Sequence, residues 1–518
     1  MSCSIGGYDN LANAVYHYAC QTPTAPAVAF NGEVLTFGEL AARAASLATT
    51  LAKHSDWKIP PDHPPRVGLL ASRSLDACIA LLGACWAGTT YIPISLKQPE
   101  ERIQVIIEQC DLTAVITDAE GQTLLTSGLR AKCPTIILSA SEVDKNITLT
   151  PPVPMRTDDI AYIIFTSGST GAPKGVMISL ASVRHYLSTI VAWLGLTQGD
   201  RALETCELSF DFSVHNMFSI WEAGASLHIL PATQVMNAVK FARSSELTVW
   251  NSVPSLAGML LQVKALSQGS LVGLRLAVFG GEQLPVGVVE AFQQAAPHCT
   301  IANLYGPTEA TVFCTAQRVE KSLPPPASRD VVAIGSPLPG NKVRIVDEKG
   351  DEVTPGTSGE LLIGGVQLAA GYLGQTELTA QRFPIINDER WYRSGDLALQ
   401  DEDGQYHCLG RIDNQVKVLG YRVELEEIDA HLRRVVGAVL VGSVAWPVLD
   451  GMARGVVSFV GAISVEAEAI KKELVQHIPS YMIPYRIIAI EHMPLNASGK
   501  VDRNALLNYL GHHDVQAA

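Results

Sequence analysis

Basic residues are scarce in this chain. Thirty-eight lysines and arginines stand against 51 aspartates and glutamates, a formal net charge of -13 at pH 7. A nucleic-acid partner needs a basic face to displace phosphate counterions, so this balance argues against one. An acidic surface suits a positively charged protein face instead. Long apolar runs are lacking too. The longest, ACIALLGACWAGTTYIPI at 77–94, contains Gly88 and Pro93. A membrane span needs roughly twenty predominantly apolar residues in one helix, so this run reads as a core helix leading into a strand. The opening MSCSIGGYDN has neither the basic start nor the apolar stretch of a signal peptide, which makes a reducing cytoplasm the expected compartment. The ten cysteines form no CxxC pair and no Cys/His set at zinc spacing, so most read as small buried hydrophobes. No GxSxG elbow supports a serine hydrolase. Repeats and low-complexity tails are absent as well.

Apolar material is plentiful. Hydrophobic residues make up 47% and charged residues 17% of 518 residues, the composition of a globular enzyme. That length suits about three compact units, or one large multi-lobed domain with a smaller partner. Helical spacing at Phe37 to Lys53 alternates with short apolar runs at Arg66 to Leu70, Thr113 to Thr117 and Thr135 to Leu138. Such alternation predicts an α/β fold of layered, mostly parallel sheets. Proline-rich stretches at 60–65 and 323–330 read as surface loops. From 333 onward polar and apolar residues alternate between glycines, which predicts β-structure with tight hairpins and a turn at Glu348 to Asp351.

Chemistry first surfaces at FTSGSTGAPKGV, 165–176, after the apolar run Ile160 to Phe165. Glycines allow backbone N–H groups to converge on an anion, Thr166, Ser167, Ser169 and Thr170 add hydroxyls, and Lys174 adds charge. Gly168 and Gly171 sit between them. A nucleotide triphosphate is the expected ligand. The loop is not of the Walker type, because Pro173 occupies the place of the required glycine.

Four further motifs follow in order: NLYGPTEATV at 303–312, YRSGDL at 392–397, GRIDNQVKVLGYRVELEEI at 410–428 and PLNASGKVDR at 494–503. Together, from LTFGEL at 35–40 to the last lysine motif, they resemble the adenylate-forming superfamily, and within it the amino-acid-activating adenylation domains of nonribosomal peptide synthetases. The resemblance implies a large multi-lobed N-terminal domain of layered sheets and helices with a β-rich subdomain, residues 1–412. It implies a small mobile α+β lid, 413–518, hinged at Asp413. Adenylation joins a carboxylate oxygen to the α-phosphorus of ATP and expels pyrophosphate, so the enzyme mainly neutralises and aligns anions.

By the same resemblance, Thr308 contacts the phosphoryl group, Glu309 binds Mg2+, Tyr305 stacks on adenine and Asn303 belongs to the nucleotide site. Asp396 accepts the ribose hydroxyls with help from Arg411, and Lys500, delivered by the lid, bridges substrate carboxylate and α-phosphate. Asp211, expected as a buried carboxylate that needs a cationic partner, meets the ammonium of an amino acid. Phe212, His215, Asn251, Val278, Gly280, Leu304, Val312 and Phe313 line the rest of the pocket. Gly280 is expected to leave backbone open to the ligand, the aromatic residues to favour a small side chain, and Asn251 and His215 to offer hydrogen bonds. The set is similar to threonine-selecting pockets but departs from them at His215 and Phe313. Serine, 2-aminobutyrate, alanine, a diaminopropionate or a β-amino acid therefore stay open.

Lys500 lies 18 residues from the end, and no carrier-type serine motif or HHxxxDG motif is present. The expectation is a free-standing enzyme that passes its aminoacyl group to the phosphopantetheine thiol of a separate carrier protein, with or without a small helper protein. Rival readings are an acyl- or aryl-CoA ligase, a D-alanine-type carrier ligase, and a nucleotide-binding protein without turnover.

Overall fold

A computed structural model of the chain describes residues 8–134, 136–142, 148–167, 173–319, 331–413, 415–418, 420–437, 440–449, 452–461, 464–495 and 501–514. The chain divides into two compact units. The first comprises Met1–Leu96, Ile106–Phe165 and Gly175–Gly410; the second comprises Lys97–Val105, Thr166–Lys174 and Arg411–Ala518. Two short segments from the first half of the sequence thus cluster with the C-terminal residues.

The predicted helix is found at Phe37–Lys53, opened by a capping box in which Thr36 and Glu39 satisfy each other's backbone N–H groups. The 77–94 run resolves into helix Leu75–Trp86 and strand Thr90–Ile94. Every residue of that helix except Asp76 is buried, because it lies between other elements and has no solvent face. A Cβ on Gly83 would come within 2.6 Å of Leu47, so glycine allows the two helices their close approach.

Two large sheets organise the first unit. One has seven strands, in which Thr90–Ile94, Arg66–Leu70, Ala114–Thr117 and Ile136–Ser139 run parallel. The other has nine, with a parallel centre of Thr300–Tyr305, Leu276–Gly280, Val249–Ser252, Arg201–Glu204, Ser226–Ile229 and Pro26–Phe30. Alternation divides these central strands between two cores. Val249, Leu276, Val278, Ala302 and Leu304 join the larger cluster. Trp250, Ala277, Phe279 and Ile301 join another on the opposite face, where Trp250 and Phe279 pack edge-on against Phe292.

The glycine-punctuated region forms the expected β-subdomain, with Asn341–Val346, Gly359–Gly365 and Glu389–Gln400 antiparallel. Asp347 shapes the turn: its carboxylate accepts from the N–H groups of Lys349 and Asp351, and Gly350 takes φ +89°. In the second unit, helices Leu425–Val436, Ala467–Leu474 and Arg503–Asp514 accompany a four-stranded and a three-stranded sheet. The proline-rich segment 323–330, Cys3, Gly168, Ser169, Thr170, Gly171 and Lys500 lie outside the described residues. Among the described residues no helix is long and apolar enough to cross a membrane.

Asp118 ties the seven-stranded sheet to its neighbouring loops. Its buried carboxylate accepts from the Ser72 N–H, the hydroxyls of Ser72 and Ser74, and the N–H of Gly121. Asp118→Ala strands those donors and is expected to cost about 3 kcal/mol, read as a lower midpoint in denaturant unfolding.

Candidate active site

Parallel strands deliver side chains to one sheet edge at their C-terminal ends, the usual place for a ligand crevice in open α/β sheets. Asn251, Val278 and Gly280 stand there, with Asn303, Leu304 and Tyr305 on the next strand. Asn251 is level with Val278, and Gly280 with Leu304. Asn251, Val278 and Leu304 therefore share a face, and Asn303 projects from the other.

The chain then turns back on itself. Strands Thr300–Tyr305 and Thr315–Val319 are antiparallel, and the Cys314 N–H bonds to the Tyr305 carbonyl. The loop between them passes so close to Gly306 that a Cβ there would lie 2.5 Å from the Val312 oxygen and 2.6 Å from Phe313 Cα. That one loop carries Thr308, Glu309, Val312 and Phe313. Thr311 and Val312 adopt φ of 55° and 67°. Left-handed backbone costs roughly 1–3 kcal/mol at each non-glycine residue, most for a β-branched one.

Phe313 corrects one sequence expectation. Gly280 does not leave backbone open to a ligand: a Cβ there would meet the Phe313 ring at 2.5 and 2.6 Å, so the missing side chain makes room for the ring. Phe313 packs edge-on against Phe212 and His215, with centroids 5.1 and 5.6 Å away. Both partners come from helix Asp211–Glu222, whose cap position is Phe210. Asp211 is the first helical residue rather than the cap, and it is half-buried rather than buried as the sequence suggested.

Burial governs protonation in this region. His215 is 1% exposed, and loss of water pushes its pKa down to about 3, so the imidazole is neutral at physiological pH. Its Nδ1 lies 2.6 Å from the Tyr186 hydroxyl. Burial, reinforced by the negative charge of Asp211, holds the Tyr91, Tyr162 and Tyr186 phenols well above their ordinary pKa. The Tyr91 and Tyr162 hydroxyls are buried with no hydrogen-bond partner among the described residues. Asn251, 1% exposed, has neither amide atom paired there. An unpaired buried amide is costly, so these atoms mark a place for a polar ligand group or ordered water.

At the end of strand Thr300–Tyr305, the Tyr305 hydroxyl donates to the carboxylate of Asp396, itself 8% exposed. Burial and then the Asp396 charge hold that phenol well above its ordinary pKa. Asn303 donates through Nδ2 to the Ala333 carbonyl at 2.8 Å, and its buried Oδ1 has no partner among the described residues. That oxygen suits an N–H donor such as an exocyclic base amine. Glu309 is fully buried and accepts from the Tyr372 hydroxyl at 2.9 Å. Thr308, half-buried, is its neighbour in a single 3-10 turn. No cluster of three or more His, Cys, Asp or Glu side chains fit to hold a metal occurs among the described residues. A magnesium ion on Glu309 would thus complete its shell with water and substrate phosphates, as this hard cation ordinarily does.

In the second unit, Ser167 donates to the Arg422 carbonyl at 3.0 Å, and Lys174 Nζ lies 3.9 Å from Glu424. The Thr166 hydroxyl is buried with no partner among the described residues. Arg411 grips Asp413 through two hydrogen bonds of 2.8 and 2.6 Å. Burial alone would raise the Asp413 pKa, but the hydrogen bonds and charge of Arg411 leave it below the ordinary value.

Sequence reasoning missed Tyr186, Tyr372 and Gln367, because each bonds to a residue far away in sequence, and Glu204, whose partners Cys206 and Asn216 belong to no motif. Glu204 is 1% exposed and ties two segments together, accepting from the Cys206 N–H and from Asn216 Nδ2 of the pocket helix. Burial drives its pKa up to about 7, against those hydrogen bonds and the Arg73 charge. A carboxyl raised in this way contributes stability below the ordinary carboxylate range and loses it as pH rises through about 7. Glu204→Gln should therefore be the more stable protein at pH 8 by about 1–3 kcal/mol, a gain that shrinks toward pH 5. Thermal melts of both proteins across that range check this; a gain independent of pH would refute it.

Three comparisons bear on this geometry. The model of the AMP-binding enzyme family matches residues 15–373. The chain is 33% identical to the D-alanine--D-alanyl carrier protein ligase of Lacticaseibacillus casei, over 97% of this chain and 100% of that protein. It is also 33% identical to the delta-poly-L-ornithine synthetase of Acinetobacter baumannii, over 96% of this chain but only 36% of the synthetase. The chain thus spans about a third of that relative's length. Among solved structures, the Vibrio cholerae adenylation domain AlmE in complex with glycyl-adenosine-5'-phosphate superposes with a TM-score of 0.85 at 30% identity, covering 99% of this chain and 98% of that one. An NRPS protein containing adenylation and PCP domains superposes with a TM-score of 0.82 at 25% identity, covering 97% and 84%.

Proposed function

The chain belongs to the AMP-binding enzyme family of AMP-forming ligases, and from that membership we propose that it activates a small amino acid with ATP and loads it on a carrier protein. The amino acid's carboxylate oxygen forms a bond to the α-phosphorus of ATP, the α–β bridge bond breaks, and pyrophosphate leaves with the electron pair. A thiol, as thiolate, then attacks the aminoacyl carbonyl, forming a thioester and releasing AMP. One observation carries the substrate class: the buried Asn251 amide, without a partner among the described residues, shares a sheet face with Val278 and Leu304 beside the Phe313 ring that fills the space over Gly280.

Asp211 takes the substrate ammonium, and Asn251 a polar group or ordered water. Phe212, His215, Val278, Leu304, Val312 and Phe313 form the wall, while Gly280 serves by admitting the Phe313 ring. Neutral His215 shapes the wall and carries no charge into it. Asn303, Tyr305, Asp396 and Arg411 hold the nucleoside. Thr166, Ser167, Gly168, Ser169, Thr170, Gly171, Lys174 and Thr308 meet phosphate. Glu309 would hold Mg2+, which supplies charge neutralisation at the phosphates. Lys500 supplies the cation at the reacting centre, with Asp413 as the hinge.

Threonine fits the Asn251 amide by its hydroxyl. Alanine and glycine fit the narrowed volume, and the full-length match to a D-alanine carrier ligase and the fold of a glycyl-adenylate-bound domain favour that size. A D-alanine-type carrier ligase is the second reading, supported by the 100% coverage of that relative.

Pyrophosphate exchange with labelled pyrophosphate, ATP and a panel of glycine, L- and D-alanine, serine, threonine, 2-aminobutyrate and β-alanine tests both. One small amino acid should drive exchange, and its chirality separates the two readings; exchange with none of the panel rejects both. Asp211→Ala is expected to raise the KM for that amino acid about 100-fold while the KM for ATP stays within about twofold. An equal loss for both substrates would displace Asp211 from its role.

A further inference from the structure

Gln367 lies outside the pocket wall, in the segment after strand Gly359–Gly365, and is fully buried. Both ends of its side-chain amide are engaged. Nε2 lies 3.2, 3.3 and 2.9 Å from the carbonyls of Ala310, Thr311 and Phe313, its two N–H groups shared among the three, and Oε1 accepts from Asn341 Nδ2 at 2.6 Å. Three carbonyls around one nitrogen fix the orientation of the amide, since the reverse would set oxygen against oxygen. The Gln367 carbonyl in turn accepts from the Thr311 hydroxyl.

Apart from the Asn341 contact, these bonds fall on the stretch that contains the left-handed Thr311–Val312 step. Such a conformation persists where surrounding structure over-determines it. The same segment reaches further along the loop: the Ala369 N–H bonds to the Glu309 carbonyl at 2.8 Å, and the Tyr372 hydroxyl to the Glu309 carboxylate. It is itself anchored, because Ser182 donates to the carbonyls of Val366 and Leu368. The loop that walls the pocket with Val312 and Phe313 is therefore held from the β-subdomain side.

We propose that Gln367 is a specificity-positioning residue: by holding the left-handed Thr311–Val312 step through three carbonyls, it sets where Val312 and Phe313 stand and so which amino-acid side chains the pocket admits. The proposal rests on the pocket assignment made under Proposed function. Methionine in place of Gln367 keeps the volume and removes every amide hydrogen bond. The step is then free to relax toward ordinary backbone, and the Phe313 ring leaves its seat over Gly280. Glycine at 311 reaches positive φ without strain, which removes one of the two left-handed costs and so lessens the loop's dependence on the clamp.

The test uses the full chain in pyrophosphate exchange, with kcat/KM measured for each amino acid of the panel. In Gln367→Met the KM for the best amino acid should rise about tenfold, its preference over the next best should narrow about tenfold, and the KM for ATP should stay within about twofold. Adding Thr311→Gly should restore the preference to within about threefold of wild type, a rescue that two independent structural lesions would not give. Loss of activity by one factor for every amino acid, or no rescue, overturns the proposal. Where Gln367→Met does not fold, Asn341→Ala, which only loosens the amide, should narrow the preference about threefold; an unchanged preference overturns the proposal. Absence of amino-acid-dependent exchange in the wild type would instead bring down the pocket assignment itself.

Discussion

The turn-back of the chain at Gly306 is the constraint on which the site depends. Because that position has no Cβ, the Val312–Phe313 backbone can lie against it, and the antiparallel pair Tyr305–Thr315 closes behind. A buried acid, Glu309, and the two buried side chains Val312 and Phe313 are thereby carried on one short loop. Its conformation is unfavourable in isolation, with two consecutive left-handed residues. Hydrogen bonds from the Val366–Tyr372 segment hold it, so the β-subdomain works as a brace for the sheet edge.

Desolvation sets the electrical character of the surroundings of helix Asp211–Glu222. His215, Tyr91, Tyr162 and Tyr186 are all shifted toward their neutral forms, chiefly by burial. They contribute shape and dipoles rather than charge. Glu204, which accepts from Asn216 of helix Asp211–Glu222, is shifted the same way. Asn251 and the Tyr91 and Tyr162 hydroxyls add polar atoms without protein partners among the described residues. A ligand that brings its own donors and acceptors gains twice in such surroundings, by forming hydrogen bonds and by relieving groups that burial left unpaired.

Much of the architecture was legible from periodicity. Helix Phe37–Lys53, the Leu75–Trp86 helix with its following strand, and the short parallel strands of the seven-stranded sheet all answer to spacing that burial enforces. Resemblance across five ordered motifs pointed to the family that the 15–373 match shows. Less legible was how neighbouring residues are used. Gly280 read as an opening for ligand, yet it seats the Phe313 ring contributed by another strand connection. Asp211 read as a buried acid, yet it stands half-buried at the start of its helix. Gln367 carried no signal at all, since a lone glutamine in a glycine-rich stretch has no periodic or motif meaning.

Sequence alone determined the α/β class, the family and the residue types available for binding phosphate and carboxylate, because hydrophobic period and motif order are properties of the chain itself. Tertiary structure decided which ring fills which gap, which groups burial keeps neutral, and which distant amide bonds to the loop after Tyr305. Those outcomes depend on desolvation and on contacts between residues far apart in the chain, and neither quantity exists until the sheets have packed.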